Sequence, residues 1–148
     1  MQLNPFNDNY FMKEALKEAQ KALEKNEVPV GCVIVCENQI IARAHNLNQK
    51  LNDATAHAEM QAFTSASDYL GGRYLNECTL YVTIEPCVMC AGASYWTQLK
   101  KVVYGAKDMK RGYSKLSENI LHPKTEVISG IMASKCAKLL TTFFEKKR

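Results

Sequence analysis

Cys78-Thr79-Leu80-Tyr81-Val82-Thr83-Ile84 runs directly into Glu85-Pro86-Cys87-Val88-Met89-Cys90. The first seven residues are mostly β formers and read as a strand. Pro86 follows where a helix accepts proline, at its first position, and the helix continues to about Leu99. A strand turning into a helix is the repeating unit of an α/β fold. Cys87 and Cys90 stand three apart in the first helical turn. At that spacing they share one helix face and can grip one ion. The partial positive charge of a helix N-terminus also favours thiolate over thiol.

Upstream lies a second stretch of the same kind, Thr55-Ala56-His57-Ala58-Glu59. It closes a polar, loop-like segment, Asn46 to Thr55, and opens a helix from His57 to about Tyr69 that Gly71-Gly72 stops. His57, Cys87 and Cys90 together form one imidazole and two thiols. Zinc bound by three protein ligands keeps its fourth position open, which is the catalytic arrangement; a closed structural site wants a fourth Cys or His. The remaining histidines, His45 and His122, form no second paired motif. Glu59 is left over as a proton shuttle beside the metal. His-x-Glu followed by Pro-Cys-x-x-Cys is the signature of zinc nucleobase deaminases. Cys-x-x-Cys alone also serves redox proteins and structural zinc, and His-x-Glu alone is close to noise.

The rest of the chain fits around these two stretches. Residues 8–25 read as an amphipathic helix with Asp8 as its N-cap. Val30 to Cys36 and Gln39 to Ala44 read as strands joined by a two-residue turn at Glu37-Asn38. Lys101 to Tyr104 is a fourth strand ending at Gly105, and Glu126 to Ser129 a short fifth. Residues 107–124 follow no clear pattern, and Ile131 to about Lys146 reads as a closing helix. Strands alternating with helices predict a three-layer α/β/α sandwich around one central sheet. At 148 residues the chain is about one domain, residues 1–148, and can bury a core without disulfides.

No apolar run approaches the ~18 residues of a membrane span. The segment Met1 to Asp8 has neither the basic nor the apolar part of a secretory signal. The expectation is a cytoplasmic protein with reduced cysteines and no membrane partner. Cys32, Cys36, Cys78 and Cys136 sit in apolar segments and read as small buried hydrophobes. Charge is uneven. Residues 1–99 hold 7 Lys/Arg and 11 Asp/Glu, a net of −4, whereas residues 100–148 hold 12 and 4, a net of +8. A basic third points to a polyanionic partner, although lysines also decorate ordinary solvated faces.

Over nearly its whole length the sequence resembles the bacterial tRNA adenosine deaminases that convert a wobble adenosine to inosine. The likeness runs through Glu27-Val28-Pro29-Val30-Gly31, Ala44-His45-Asn46, both metal stretches, Val103-Tyr104-Gly105-Ala106-Lys107-Asp108, Leu121-His122-Pro123 and Phe143-Phe144. It implies a cytidine-deaminase-like fold with a five-stranded sheet, one zinc ion per chain, and a homodimer whose interface builds each active site. It implies the tRNA anticodon arm as partner, Asn46 as a polar contact to the flipped base, and Ile84 packed near that base. It also implies that Asp108 and the Phe143–Phe144 end touch flanking nucleotides, with one of the two phenylalanines serving the core instead.

One departure bears on substrate. Ser94-Tyr95-Trp96-Thr97-Gln98-Leu99 carries a Tyr-Trp pair more like that of the free guanine deaminases. The alternative is therefore a deaminase of free guanine, cytosine or a nucleoside in nucleotide salvage. By hydrophobicity alone, Trp96 is expected against the sheet. Lys110, Arg111 and Lys115 keep the segment 107–116 basic, which suits phosphate contacts. A third reading, an RNA-binding module with a structural zinc, is opposed by Glu59 and the open ligand position.

Overall fold

A computed structural model describes residues 4–147. The chain runs α1 (Asp8–Glu24), β1 (Gly31–Cys36), β2 (Gln39–His45), α2 (Ala58–Leu70), β3 (Cys78–Ile84), α3 (Val88–Thr97), β4 (Lys101–Ala106), a 3-10 turn (Tyr113–Lys115), β5 (Glu126–Ser129) and α4 (Ala133–Lys146). The five strands form one sheet in the order β2-β1-β3-β4-β5. β1 is antiparallel to β2 and β3, while β3, β4 and β5 are parallel. This is the expected α/β/α sandwich.

Alternation along the strands divides the core in two. Cys32, Ile34, Leu80, Val82, Val102 and Tyr104 point to the face covered by α2 and α3, against Ala58, Ala62, Phe63 and Ala91. Val33, Val35, Tyr81 and Val103 point to the opposite face, against Phe11, Met12 and Ala15 of α1 and Cys136 of α4. Both sides of the central strands are buried, which explains their near-continuous apolar sequence. Glu37 and Asn38 both have positive φ, 51° and 61°. That pair of conformations makes the type I′ turn whose twist matches a two-residue hairpin.

Several boundaries differ from those expected. The cap of α1 is Asn7, whose Oδ1 accepts the Tyr10 N–H at 2.9 Å. Asp8 lies inside the helix and accepts the Tyr81 hydroxyl at 2.8 Å instead. Pro86 lies outside α3, one residue before the cap Cys87, so the helix begins at Val88. α3 ends at Thr97, where Gln98 turns left-handed, and α4 starts at Ala133, after Met132 does the same. β4 runs two residues further than expected, and β2 one. Cys36 is only half-buried, at the outer end of β1. Residues 107–125 are the crossover that parallel β4 and β5 require. The crossover packs Tyr113 and Leu121 onto the face that α3 covers. Among the described residues no helix is long and apolar enough to cross a membrane.

Gly31 sets the distance between α1 and the sheet. A Cβ there would strike the backbone of Ala15, Glu18 and Ala19. Helix backbone cannot rotate aside as a side chain can, so Gly31→Ala should destabilise the fold by about 3 kcal/mol, a fall of roughly 10 °C in Tm. Gly72, around which a Cβ meets nothing within 4 Å, is the control. Thermal melts of Gly31→Ala and Gly72→Ala make the comparison; equal melting temperatures would refute the close approach.

Candidate metal centre and substrate cleft

The two metal stretches meet because each ends in a helix cap on the same side of the sheet. His57 is the N-cap residue of α2 and Cys87 that of α3, both in extended conformation. Neither side chain caps its own helix. For α2 the duty falls to Asn46, whose Oδ1 accepts the Ala58 N–H at 2.8 Å. His57 is thereby free to turn Nδ1 toward Cys87 Sγ at 3.6 Å and Cys90 Sγ at 3.5 Å. All three donor atoms lie within 4.8 Å of one another. Zinc bonds of ~2.3 Å to sulfur and ~2.0–2.1 Å to nitrogen at a tetrahedral angle place S and N about 3.6 Å apart. The spacing here fits that geometry, and two soft sulfurs with one imidazole are a zinc donor set.

The electrostatics favour a bound cation. The Cys90 hydrogen bond, then His57, pulls the Cys87 thiol down to about 4. Cys90 goes the other way, because it shares its proton with Cys87 and is buried. His57 is held above its usual value, chiefly by its hydrogen bond to Cys87. Two helix N-termini converge on the cluster, and each adds partial positive charge that a thiolate answers.

Glu59 stands in the first turn of α2, 3 % exposed, within reach of Cys90. Burial, opposed by its own backbone N–H, pushes its carboxyl up to about 7. A carboxyl poised near neutral pH can both take and give a proton.

These groups open onto a cleft of about 960 Å³ at the carboxyl ends of β3 and β4, where α/β sheets place their ligands. The wall carries His57, Glu59, Cys87, Asn46, Ile84 and Asp108, and the fully buried Cys90 lies just behind it against His57 and Cys87. With Oδ1 fixed by the Ala58 N–H, the Asn46 amide nitrogen has no hydrogen-bond acceptor among the described residues and remains as a donor on the cleft side. Ile84 supplies an apolar surface. Asp108 is partly committed: its Oδ1 accepts the N–H groups of Lys110 and Arg111, both at 3.0 Å. Phe143 is buried in the core, while Phe144, 50 % exposed, lines the cleft.

Tyr95 and Trp96 stand elsewhere. Neither lines the cleft, and Trp96 is 77 % exposed rather than packed on the sheet. α3 is apolar nearly all round, and its inner face is taken by Cys90, Ala91 and Ser94. With that face filled by small residues, the two large aromatic rings point outward.

Residues that the sequence did not mark for a role also shape the cleft. Leu140 of α4 and Lys147, the C-cap of that helix, reach it in this way, and they join Lys110 and Arg111 of the crossover, singled out above for phosphate contacts, so that cations line its rim. Two buried glutamates hold the loops on either side. Glu27 accepts the N–H groups of Gln49 at 3.1 Å and Lys50 at 2.9 Å. Glu85 accepts those of Asp108 at 3.1 Å and Ser114 at 2.9 Å. A carboxylate at the end of an apolar strand was the one available hint of the second.

Residues 5–106 match the family described as the cytidine and deoxycytidylate deaminase zinc-binding region. A Bacillus subtilis (strain 168) protein named tRNA-specific adenosine deaminase is 47% identical over 146 residues, 95% of this chain and 91% of its own. A solved structure from biochemical and structural studies of A-to-I editing by tRNA:A34 deaminases at the wobble position of transfer RNA is 40% identical. It aligns with a TM-score of 0.83 over 88% of this chain and 99% of that one. The X-ray structure of guanine deaminase from Bacillus subtilis is 41% identical, with a TM-score of 0.65 over 68% of this chain and 65% of that one.

Proposed function

The chain belongs to the cytidine and deoxycytidylate deaminase family, and on that premise we propose that it hydrolyses the wobble adenosine of a tRNA anticodon to inosine. The observation that carries the choice of substrate is the cationic rim: Lys110, Arg111 and Lys147 border the same cleft that holds His57, Glu59 and Cys87. A free base offers nothing for three cations, whereas an RNA loop brings phosphates with its splayed bases.

His57, Cys87 and Cys90 hold one zinc ion, which when bound supplies the Lewis acidity that makes water a nucleophile near neutral pH. Asn46 donates from its amide nitrogen to the flipped base, and Ile84 packs beside it. Glu59 takes a proton from the attacking water and passes it to the ring nitrogen N1 as the C6–O bond forms. It then carries the second proton to the amine, the C6–N bond breaks, and ammonia leaves. Phe144 and the free side of Asp108 meet flanking nucleotides. The 148 residues act as one deaminase domain in the cytoplasm.

The test is a deamination assay on zinc-loaded protein. An anticodon stem-loop with wobble adenosine runs beside free guanine, adenine, cytosine and their nucleosides, with Glu59→Ala as the blank. Inosine should form only in the RNA. Its kcat/KM should fall steeply with salt, roughly tenfold between 50 and 200 mM for two phosphate contacts on a single strand. Turnover of a free base with silent RNA would place the enzyme in salvage instead, and salt-independent turnover of RNA would remove the rim from substrate binding.

A homodimer fits the exposed face of α3. Val88, Tyr95 and Trp96 are exposed and, with Gly92, recur at the spacing of one helix face; around Gly92 a Cβ meets nothing within 4 Å. Tryptophan and tyrosine at such a position are the usual anchors of an interface. Trp96→Asp should weaken self-association by about 30- to 1,000-fold, the loss expected of a central anchor. Sedimentation would then show a 16.7 kDa species where the wild type sediments at twice that mass. Unchanged sedimentation of the variant would move the interface elsewhere.

A further inference from the structure

We propose that Glu85 is a positioning residue that locks the cationic rim of the cleft to the metal-ligating turn. The identity of what the rim touches rests on the RNA reading above; the lock itself does not. Glu85 is 1 % exposed and has no cation within ion-pair distance among the described residues. A carboxylate so placed is expensive to bury, and it directly follows β3, whose residues are all uncharged. Its two oxygens do what no apolar side chain could. One accepts the Asp108 N–H at 3.1 Å and the other the Ser114 N–H at 2.9 Å, so a single group closes the loop at two points six residues apart.

The surrounding backbone follows the same plan. The Glu85 N–H donates to Ala106 O at 2.8 Å, the Tyr113 N–H donates to Pro86 O at 3.0 Å, and Cys87 bridges Gly112. The backbone of Glu85 is thus tied to the last residue of β4, and those of Pro86 and Cys87, the latter a metal ligand, to the crossover. Gly112 lies against the carboxyl group so closely that a Cβ there would collide with both Glu85 oxygens. The chain of bonds then reaches the rim, because Asp108, held by Glu85, itself holds the N–H groups of Lys110 and Arg111. The crossover carries a single 3-10 turn of its own, so its shape depends on this carboxylate.

Two variants test the lock from opposite sides. Glu85→Gln keeps the shape but turns an amide NH2 toward one of the two N–H donors; Gly112→Ala pushes a methyl into the carboxylate. Each should speed amide hydrogen exchange across residues 107–116 by about tenfold or more, the loss of one buried charge-assisted bond. Each should raise KM for the stem-loop about tenfold, leave kcat within about twofold, and retain one zinc per chain. The double variant should be no worse than the poorer single one, since both break the same contact. Unchanged exchange in both variants would overturn the lock. Faster exchange with unchanged KM would detach the loop from substrate, and loss of zinc or of kcat alone would make Glu85 a support of the metal turn only. Exchange and zinc content are read without substrate, so a wild type inactive on the stem-loop would refute the RNA reading while leaving the lock to stand or fall on exchange.

Discussion

Glu59→Gln should keep its zinc and its fold while turnover falls about 10³- to 10⁴-fold, the upper part of what a positioned proton carrier contributes. The reason lies in what glutamine preserves. It has the volume and one acceptor of the carboxyl, and Glu59 is buried beside Cys90 with its charge already disfavoured by desolvation. Replacing it with a neutral isostere therefore removes little that the fold needs. Glutamine cannot accept a proton and release it again, so both transfers lose their carrier. Metal analysis, a thermal melt and ammonia release separate the three quantities. Zinc near one per chain, an unchanged melt and lost turnover is the expected set. Turnover at the wild-type rate would take the shuttle away from Glu59, and loss of zinc with turnover would make the residue a support of the metal.

Cys90→Ala should purify without zinc and without activity. Cys90 is fully buried and supplies one of three donor atoms. Alanine leaves His57 and Cys87, two ligands from two different helix ends, with too little to hold an ion against solvent. The stability of the zinc-bound form should go with it, because metal bound only by the native state stabilises that state. Wild type stripped with chelator is the comparison. Its melt should drop toward that of Cys90→Ala, and added zinc should restore the wild type alone. A Cys90→Ala protein that carries one zinc and turns over would remove Cys90 from the ligand set. In the stripped wild type, iodoacetamide should label Cys87 before Cys90, since Cys87 is the thiolate and the more exposed of the two.

What could be read from the sequence follows the range of the interactions involved. The β1–β2 hairpin and the C-terminal end of α2 are local: Glu37-Asn38 and Gly71 set their own backbone. The buried strands declare themselves through Val33, Ile34, Leu80 and Val82, whatever pairs with them. The metal centre was legible because its donors are the chemistry, and the residue types leave few other uses. Where a local signal misled, a distant partner overrode it. Asn7 and Asp8 both cap well, and Asp8 is drawn inward by the Tyr81 hydroxyl 73 residues away. The crossover had no readable pattern because its form is imposed by Glu85, 23 residues before Asp108 and 29 before Ser114. Trp96 misled for a different reason: α3 offers apolar residues on both sides, and composition cannot say which side the sheet takes.

The division of labour at Asn46 has a bearing on attempts to retune base choice. One side-chain amide has its oxygen committed to the start of α2 and its nitrogen turned to the cleft. A randomised library at this position would thus be filtered twice, once for folding and once for recognition. Aliphatic replacements would forfeit a helix cap worth about 1 kcal/mol before any new base was tried, and aspartate would keep the cap while replacing the donor with an acceptor. The Ile84 side chain borders the same cleft and, being aliphatic, makes no hydrogen bond that a replacement would forfeit. Directed evolution toward a different nucleobase should therefore accumulate changes at Ile84 first and reach Asn46 only in backgrounds already made more stable.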